Sequence, residues 1–140
     1  MKTFPLAVGV VLFQGDTVLL VRHENGAGHV TGTYGLPAGR LNPGETELQA
    51  AVRELQEETG LVTLEDQLAS YPDNTYTGTF ERKGIGMVTA SLTVLICRSF
   101  TGALKNSSET TPEWVKIDGL SKLNLLPNIE KAVHEARQYV

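Results

Sequence analysis

Glu54, Glu57 and Glu58 stand at spacings of three and four residues, so on a helix their carboxylates are neighbours on one face. In isolation each such like-charge pair costs about 0.2–0.5 kcal/mol, and partial burial in a cleft raises both the cost and the pKa values. A divalent cation removes the repulsion and makes the face useful. Arg53 immediately precedes Glu54 and can pair with the carboxylates and orient them. Upstream, Gly39 and Glu45 lie across the turn Asn42-Pro43-Gly44. A glycine at 39 lets a backbone carbonyl approach the helix face as a neutral oxygen ligand. Three glutamates and a carbonyl form the hard oxygen set that Mg²⁺ prefers, with Mn²⁺ also suited. Zinc is disfavoured, because there is no Cys/His cluster. A bare acidic face is more often a solvated one; Arg53, Gly39 and Glu45 shift the reading to the metal cradle.

These carboxylates need a helix with firm ends. Thr46 with Gln49 three residues later matches a capping box, and Gly60 suits the left-handed position just past the helix, with Leu61 folding back on Leu55. Leu48, Ala51, Val52, Leu55 and Thr59 repeat with helical period and predict the buried stripe. Glu47, Glu54, Glu57 and Glu58 fall on another face.

The remaining elements read as a frame for that helix. Leu6 to Phe13 is apolar on both alternating faces, as in a strand covered on both sides, and Gln14-Gly15-Asp16 turns the chain into a second strand, Thr17 to Arg22. Gly26 to Gly35 is predicted as a solvent loop, and Leu36 to Gly39 as a short extended piece. After the turn Tyr71-Pro72-Asp73-Asn74, strands are predicted at Thr75–Phe80, Met87–Arg98 and Trp114–Ile117. Asp118 is expected to cap a helical turn at Gly119–Lys122, and Pro127 to open a last helix whose core stripe is Ile129, Ala132, Val133, Ala136 and Val140. Strands alternating with two main helices predict an α/β layered domain with a mixed sheet, and no linker or repeat divides residues 1–140.

The segment Gly39-x5-Glu45-x7-Arg53-Glu54-Leu55-x-Glu57-Glu58-x-Gly60-Leu61 resembles the signature of the Nudix (MutT-type) hydrolases, with seven fixed residues and two apolar positions over 23 residues. Leu36-Pro37-Ala38 is similar to the usual leader, although alanine stands at 38 where many members have glycine. The order of the other elements agrees along the whole chain. The resemblance implies a single Nudix domain over 1–140 with an α/β/α sandwich and a mixed central sheet. It also implies hydrolysis of a nucleoside diphosphate linked to another group, with water attacking phosphorus while divalent ions neutralise the phosphate oxygens.

Carried over by residue, the resemblance makes Glu54, Glu57 and Glu58 metal ligands, with the Gly39 carbonyl assisting and with Glu45 and Arg53 orienting the loop and the carboxylates. Glu54 and Glu57 on the helix and Glu109 on a later loop are the candidate general bases, the helix being favoured. Arg22 is a candidate phosphate contact, and Tyr34, Tyr76 and Phe80 are candidates to stack on a base; packing roles are the plain alternative for each. Trp114 is expected in the core, and His29 and His134 at the surface.

The expected substrate is a nucleoside triphosphate cleaved to monophosphate and pyrophosphate, since ADP-ribose enzymes of this family are often longer. ADP-ribose or another NDP-sugar is the alternative, and a nucleotide-binding module without catalysis a third reading. A net charge of -4 and a pI near 5.3 exclude an electrostatic footprint for duplex nucleic acid or anionic membranes. The single Cys97 cannot form an internal disulfide and reads as a buried, inert thiol. No apolar run is long enough to span a bilayer, and no cleavable leader is evident. The expectation is a soluble cytoplasmic protein with a small-molecule nucleotide partner, a homodimer being left open.

Overall fold

The computed structural model describes residues 1–140. The strands are β1 (Lys2–Thr3), β2 (Ala7–Val11), β3 (Phe13–Gln14), β4 (Thr17–His23), β5 (Tyr34–Gly35) and β6 (Ala38–Arg40). Helix α1 (Glu47–Thr59) follows, then β7 (Leu68–Ala69), β8 (Thr75–Arg82), β9 (Gly86–Cys97), β10 (Thr110–Lys116) and helix α2 (Ile129–Arg137). Ile117–Lys122 forms a 3₁₀ turn.

The mixed sheet expected from the sequence is present and has six strands in which β9 is the hub. It pairs in parallel with β1 and β2 and antiparallel with β7 and β8, while β2 also takes β6 antiparallel. A second, antiparallel sheet holds β3, β4, β5 and β10. The predicted hairpin is therefore divided between two sheets: the run from Leu6 to Phe13 breaks at the fully buried Leu12, and only Phe13 and Gln14 pair with β4. Alternation along the two long strands sorts their side chains to opposite sides. Val8, Val10, Leu12 and Leu19 pack with Ala50, Ala51 and Leu55 of α1. Val11, Val18 and Leu20 pack with Ile129, Ala132, Val133 and Ala136 of α2. One helix thus covers each side, an α/β/α arrangement.

The α1 punctuation holds. The Thr46 hydroxyl accepts from the Gln49 amide at 3.1 Å, and Gln49 Oε1 accepts from the Thr46 amide at 3.0 Å. Gly60 adopts φ 84°, and a side chain there would meet the Ala103 carbonyl at 2.7 Å. Leu61 is buried in the same cluster as Leu55. The buried stripe is displaced from its expected position: Leu48 is exposed and Val52 half-buried, while Ala50, Ala51, Leu55 and Thr59 are buried. The adjacent alanines give the helix a small-residue surface that lets it sit close on β2.

Four local expectations are corrected. Strand β10 starts at Thr110 and ends at Lys116, pairing along β4 from His23 to Thr17. Pro112 is tolerated because β10 is an edge strand. Asp118 lies inside the 3₁₀ turn and makes no capping bond. Pro127 precedes α2 rather than opening it, because Asn128 intervenes at φ 68° and spends its side-chain amide on the Thr77 carbonyl at 3.0 Å. Val140 lies beyond α2 and is exposed. No helix is long and apolar enough to cross a membrane.

Candidate active site

The capped helix α1 brings its acidic face against β6, where the chain has just passed Gly39. An ideal Cβ built on Gly39 would overlap the Glu54 carboxylate, so glycine leaves the room that this carboxylate fills. Glu58, one turn on, accepts a hydrogen bond from the Ala38 amide at 2.7 Å. The two carboxylates are thereby seated against neighbouring residues of β6, Glu54 at Gly39 and Glu58 at Ala38. They line a cleft of about 390 Å³ together with Glu109, Arg40, Arg82, Phe4 and Phe80. The opposite wall comes from β8, β9 and the segment Leu126–Ile129.

Arg53 organises the floor. Its Nε and Nη2 donate to the two oxygens of Glu45 at 2.7 and 2.8 Å, and Nη1 donates to Glu54 at 2.7 Å and Glu57 at 3.2 Å. Nη2 also donates to the Arg40 carbonyl at 3.0 Å. These bonds engage every donor position of the guanidinium. Glu45 in turn accepts from the Asn42 amide at 2.8 Å, which ties the Pro-Gly turn to the helix. The Arg53 bond, with the Asn42 amide behind it, holds the Glu45 carboxyl down at about 2.

The cleft carboxylates move the other way. Burial raises the Glu54 carboxyl, partly offset by Arg53, with Glu57 and Glu45 adding repulsion. Glu58, which Arg53 does not touch, is pushed by burial up to about 8; its bond from Ala38 opposes the rise, and Glu54, Glu109 and Glu57 add to it. Two desolvated acids side by side are a poor resting state for a protein and a good seat for a cation. Their hard oxygens, beside a glycine backbone with no side chain, fit a divalent ion such as Mg²⁺ in donor chemistry. Glu57 does not join them: its carboxylate is 58% exposed and turned to Arg53. No three His, Cys, Asp or Glu side chains converge as a ready metal site, so a three-carboxylate set needs Glu57 to leave Arg53.

The other expected site residues divide. Tyr76 and Phe80 line the cleft, although the Tyr76 ring is buried and its hydroxyl donates to Glu135 at 2.6 Å. Arg22 and Tyr34 do not line it. Arg22 pairs with Glu24 at 2.9 Å and Glu113 at 3.0 Å, while Tyr34 continues the β4–β5 pairing and packs on the α2-side core. Their neighbours in the fold, not their types, decide this. His29 is not a surface residue: its ring packs between His23 at 4.4 Å and Phe80 at 5.2 Å, and burial lowers it to about 3. His134 is exposed as expected. The Gly26–Gly35 stretch is also not a free solvent loop. Gly26 donates to the Ser108 carbonyl at 3.0 Å, Gly32 to the His23 carbonyl at 2.9 Å, and Ala27, Gly28 and His29 line the cleft. Cys97 is buried, its thiol raised by burial, and Trp114 packs partly buried against Phe100.

Sequence spacing did not single out Arg40, Arg82 or Phe4. Arg40 directly follows Gly39 and Arg82 lies two residues past the predicted strand end at Phe80, which were the available signals, but an arginine's lack of a carboxylate partner is decided only by tertiary structure. Both guanidiniums lie over the Phe4 ring, at 4.9 and 5.4 Å from its centroid.

Comparison with known proteins supports the same reading of the chain. A family model described as the NUDIX domain matches residues 3–136. The chain is 38% identical over 61 residues to an 8-oxo-dGTP diphosphatase of Escherichia coli K12, covering 44% of this chain and 46% of that protein. It is 33% identical over 108 residues to the human 8-oxo-dGDP phosphatase NUDT18, covering 77% of this chain and 29% of that protein. The matched region thus spans less than half the length of either relative. The crystal structure of a MutT protein from Methanosarcina mazei Go1 superposes with a TM-score of 0.71 at 22% identity, covering 99% of this chain and 96% of that one. That likeness shows a shared fold. With the family model spanning nearly the whole sequence, the chain belongs to the NUDIX family.

Proposed function

We propose that the chain is a divalent-cation-dependent pyrophosphohydrolase that cleaves a nucleoside triphosphate to the monophosphate and pyrophosphate. The observation that carries this reading is the pair of desolvated carboxylates, Glu54 and Glu58, seated against Ala38 and Gly39 in a cleft that is also lined by Arg40, Arg82, Phe4 and Phe80. A polyphosphate needs positive charge on its oxygens and an aromatic wall for its base, and both are available here.

Glu54 and Glu58, with the Gly39 carbonyl and with Glu57 released from Arg53, would hold Mg²⁺ or Mn²⁺. When bound, the ion supplies charge neutralisation at the non-bridging phosphate oxygens and at the leaving group. Arg53 keeps one oxygen of Glu54 fixed at 2.7 Å. The carboxylate is thereby oriented toward the cleft, and Glu54 is our choice of general base to take the proton of the attacking water. Glu109 also lines the cleft and is the second candidate. Phe80, with the His29 ring tilted against it, offers an aromatic wall for a base.

The E. coli relative is an 8-oxo-dGTP diphosphatase, so oxidised deoxyguanosine nucleotides belong among the substrates to try. The deciding experiment is a Mg²⁺-supplemented panel of NTPs, oxidised NTPs, ADP-ribose and dinucleoside polyphosphates with product identification. Release of monophosphate and pyrophosphate from a triphosphate supports the proposal. Turnover of ADP-ribose alone would reassign the substrate, and nucleotide binding without any turnover would make the chain a binding module.

A further inference from the structure

Three cations gather on Phe4, an aromatic ring that lines the cleft. Arg40 and Arg82 lie 4.9 and 5.4 Å from the Phe4 centroid, and Lys2 lies 5.7 Å away. Neither arginine has a carboxylate within ion-pair distance: the acidic partners in the structure go to Arg22, Arg53, Lys116 and His134. Arginine keeps its charge in any protein environment, so these positive charges stand unpaired. Arg82 is the more committed of the two. Its Nε is buried without a hydrogen-bond partner, and its guanidinium occupies the space that a side chain at Gly28 would take. Gly28 is also pinned, since its carbonyl accepts from the Lys83 amide at 2.9 Å.

The surroundings offer Arg82 nothing else. His29 beside it also has a buried, partnerless ring nitrogen, Nδ1, and is held neutral by burial. Glu109 attracts Arg82 from within the same cleft, yet forms no ion pair with it. A partly desolvated guanidinium with no carboxylate partner, seated over a glycine in the cleft, has the donors that recognise a phosphate. The carboxylates Glu54 and Glu58 line the same cleft. An extended polyphosphate can therefore be met by a cation on the carboxylates and by Arg82 directly.

We propose that Arg82, with Arg40 across the Phe4 ring, forms an anion subsite that receives the free terminal phosphate of the substrate. The inference rests on the hydrolase reading and sharpens it: the cleft selects nucleotides ending in an unesterified phosphate over diphosphates whose far end carries a sugar. Arg82 is then the residue that separates a triphosphate from an NDP-sugar.

The test is calorimetric titration with inorganic pyrophosphate in the presence of EDTA, on wild type, Arg82→Gln and Gly28→Ala. The wild type is expected to bind. Arg82→Gln should weaken binding about tenfold or more, as expected for loss of a charge-assisted bond. Gly28→Ala, which displaces the same guanidinium while keeping the charge, should weaken it in the same direction and guards against a folding defect in the first variant. In the Mg²⁺ assay, Arg82→Gln should lower the kcat/KM ratio of triphosphate to ADP-ribose, chiefly through KM. Equal pyrophosphate affinity in wild type and Arg82→Gln, or no binding by the wild type, overturns the subsite. Arg82-dependent pyrophosphate binding without turnover of any nucleotide would instead sink the hydrolase reading and leave the subsite standing.

Discussion

Glu54 fills the space that a side chain on Gly39 would occupy, so the helix carboxylate and the strand glycine are set against each other at the bottom of the cleft. The glycine is not needed for backbone conformation, as it is not among the residues with positive φ. Its hydrogen is needed so that Glu54 can lie where it does. Gly39→Ala should therefore keep the fold and displace Glu54. A misplacement of about 1 Å can lower turnover about 100-fold. Circular dichroism should be unchanged while kcat collapses; an alanine variant with wild-type kcat would separate Glu54 from the chemistry.

Glu58 makes the cation-free protein sensitive to pH. Its folded carboxyl sits near 8, above the ordinary value of 4.5, because it is buried beside other acids. A folded state that holds its proton more tightly than the unfolded state is stabilised at low pH. The contribution is fully present below about 4.5 and is lost as pH rises through about 8. Without metal, the melting temperature should fall across that window, and Glu58→Gln should flatten the fall and raise stability near neutrality. Mg²⁺ should also raise the wild-type melting temperature at pH 8 and do less for the variant. A pH-independent wild type would show that Glu58 titrates normally.

Arg53 uses its whole fork, and lysine cannot reproduce five directed bonds. Arg53→Lys is predicted to cost about two orders of magnitude in kcat/KM by freeing Glu54 and loosening Glu45. The Arg53–Glu45 pair also carries the opposite pH signature to Glu58. With the Glu45 carboxyl lowered to about 2, its stabilisation is present above 4.5 and lost as pH falls toward 2. The acid limb of the melting curve should therefore flatten in the lysine variant.

Glu57 stands apart from the other helix acids, turned to Arg53 and exposed. Glu57→Gln decides whether it swings into the cation site. Loss of kcat by orders of magnitude, with an increased Mg²⁺ requirement, is the expected outcome; unchanged Mg²⁺ dependence would leave Glu54 and Glu58 as the whole carboxylate set.

The α1 cap is a structural control. Thr46→Ala removes one side of the capping box and should cost about 1 kcal/mol in urea unfolding. At 25 °C turnover should be retained, because the cap lies at the far end of the helix from Glu58.

What was legible in the sequence is what depends on near neighbours. The α1 boundaries follow from Thr46, Gln49 and Gly60, and the Arg53 cluster follows from spacings within fifteen residues of Gly39. Apolar periodicity identified the strands but not their sheet, since a residue buried at Leu12 looks the same whether the chain continues in one sheet or crosses to another. Pro112 hid the start of β10, because proline is compatible with a strand only once the edge position is known. Arg22 and Arg82 have the same side chain, and each lies at or just past the end of a predicted strand. Glu24 and Glu113 form ion pairs with the first, no carboxylate forms one with the second, and only the fold reveals the difference.

If Glu54 and Glu58 hold the cation that supports attack of water on the triphosphate, both Mg²⁺ and Glu58 are required for turnover. Phosphorus NMR of one nucleoside triphosphate incubated with wild type and Glu58→Gln, with and without Mg²⁺, tests it most directly. Pyrophosphate and monophosphate are expected from the wild type only with Mg²⁺, with a rate lower by orders of magnitude in the variant. Orthophosphate with diphosphate as products, or equal rates in the two proteins, would contradict it.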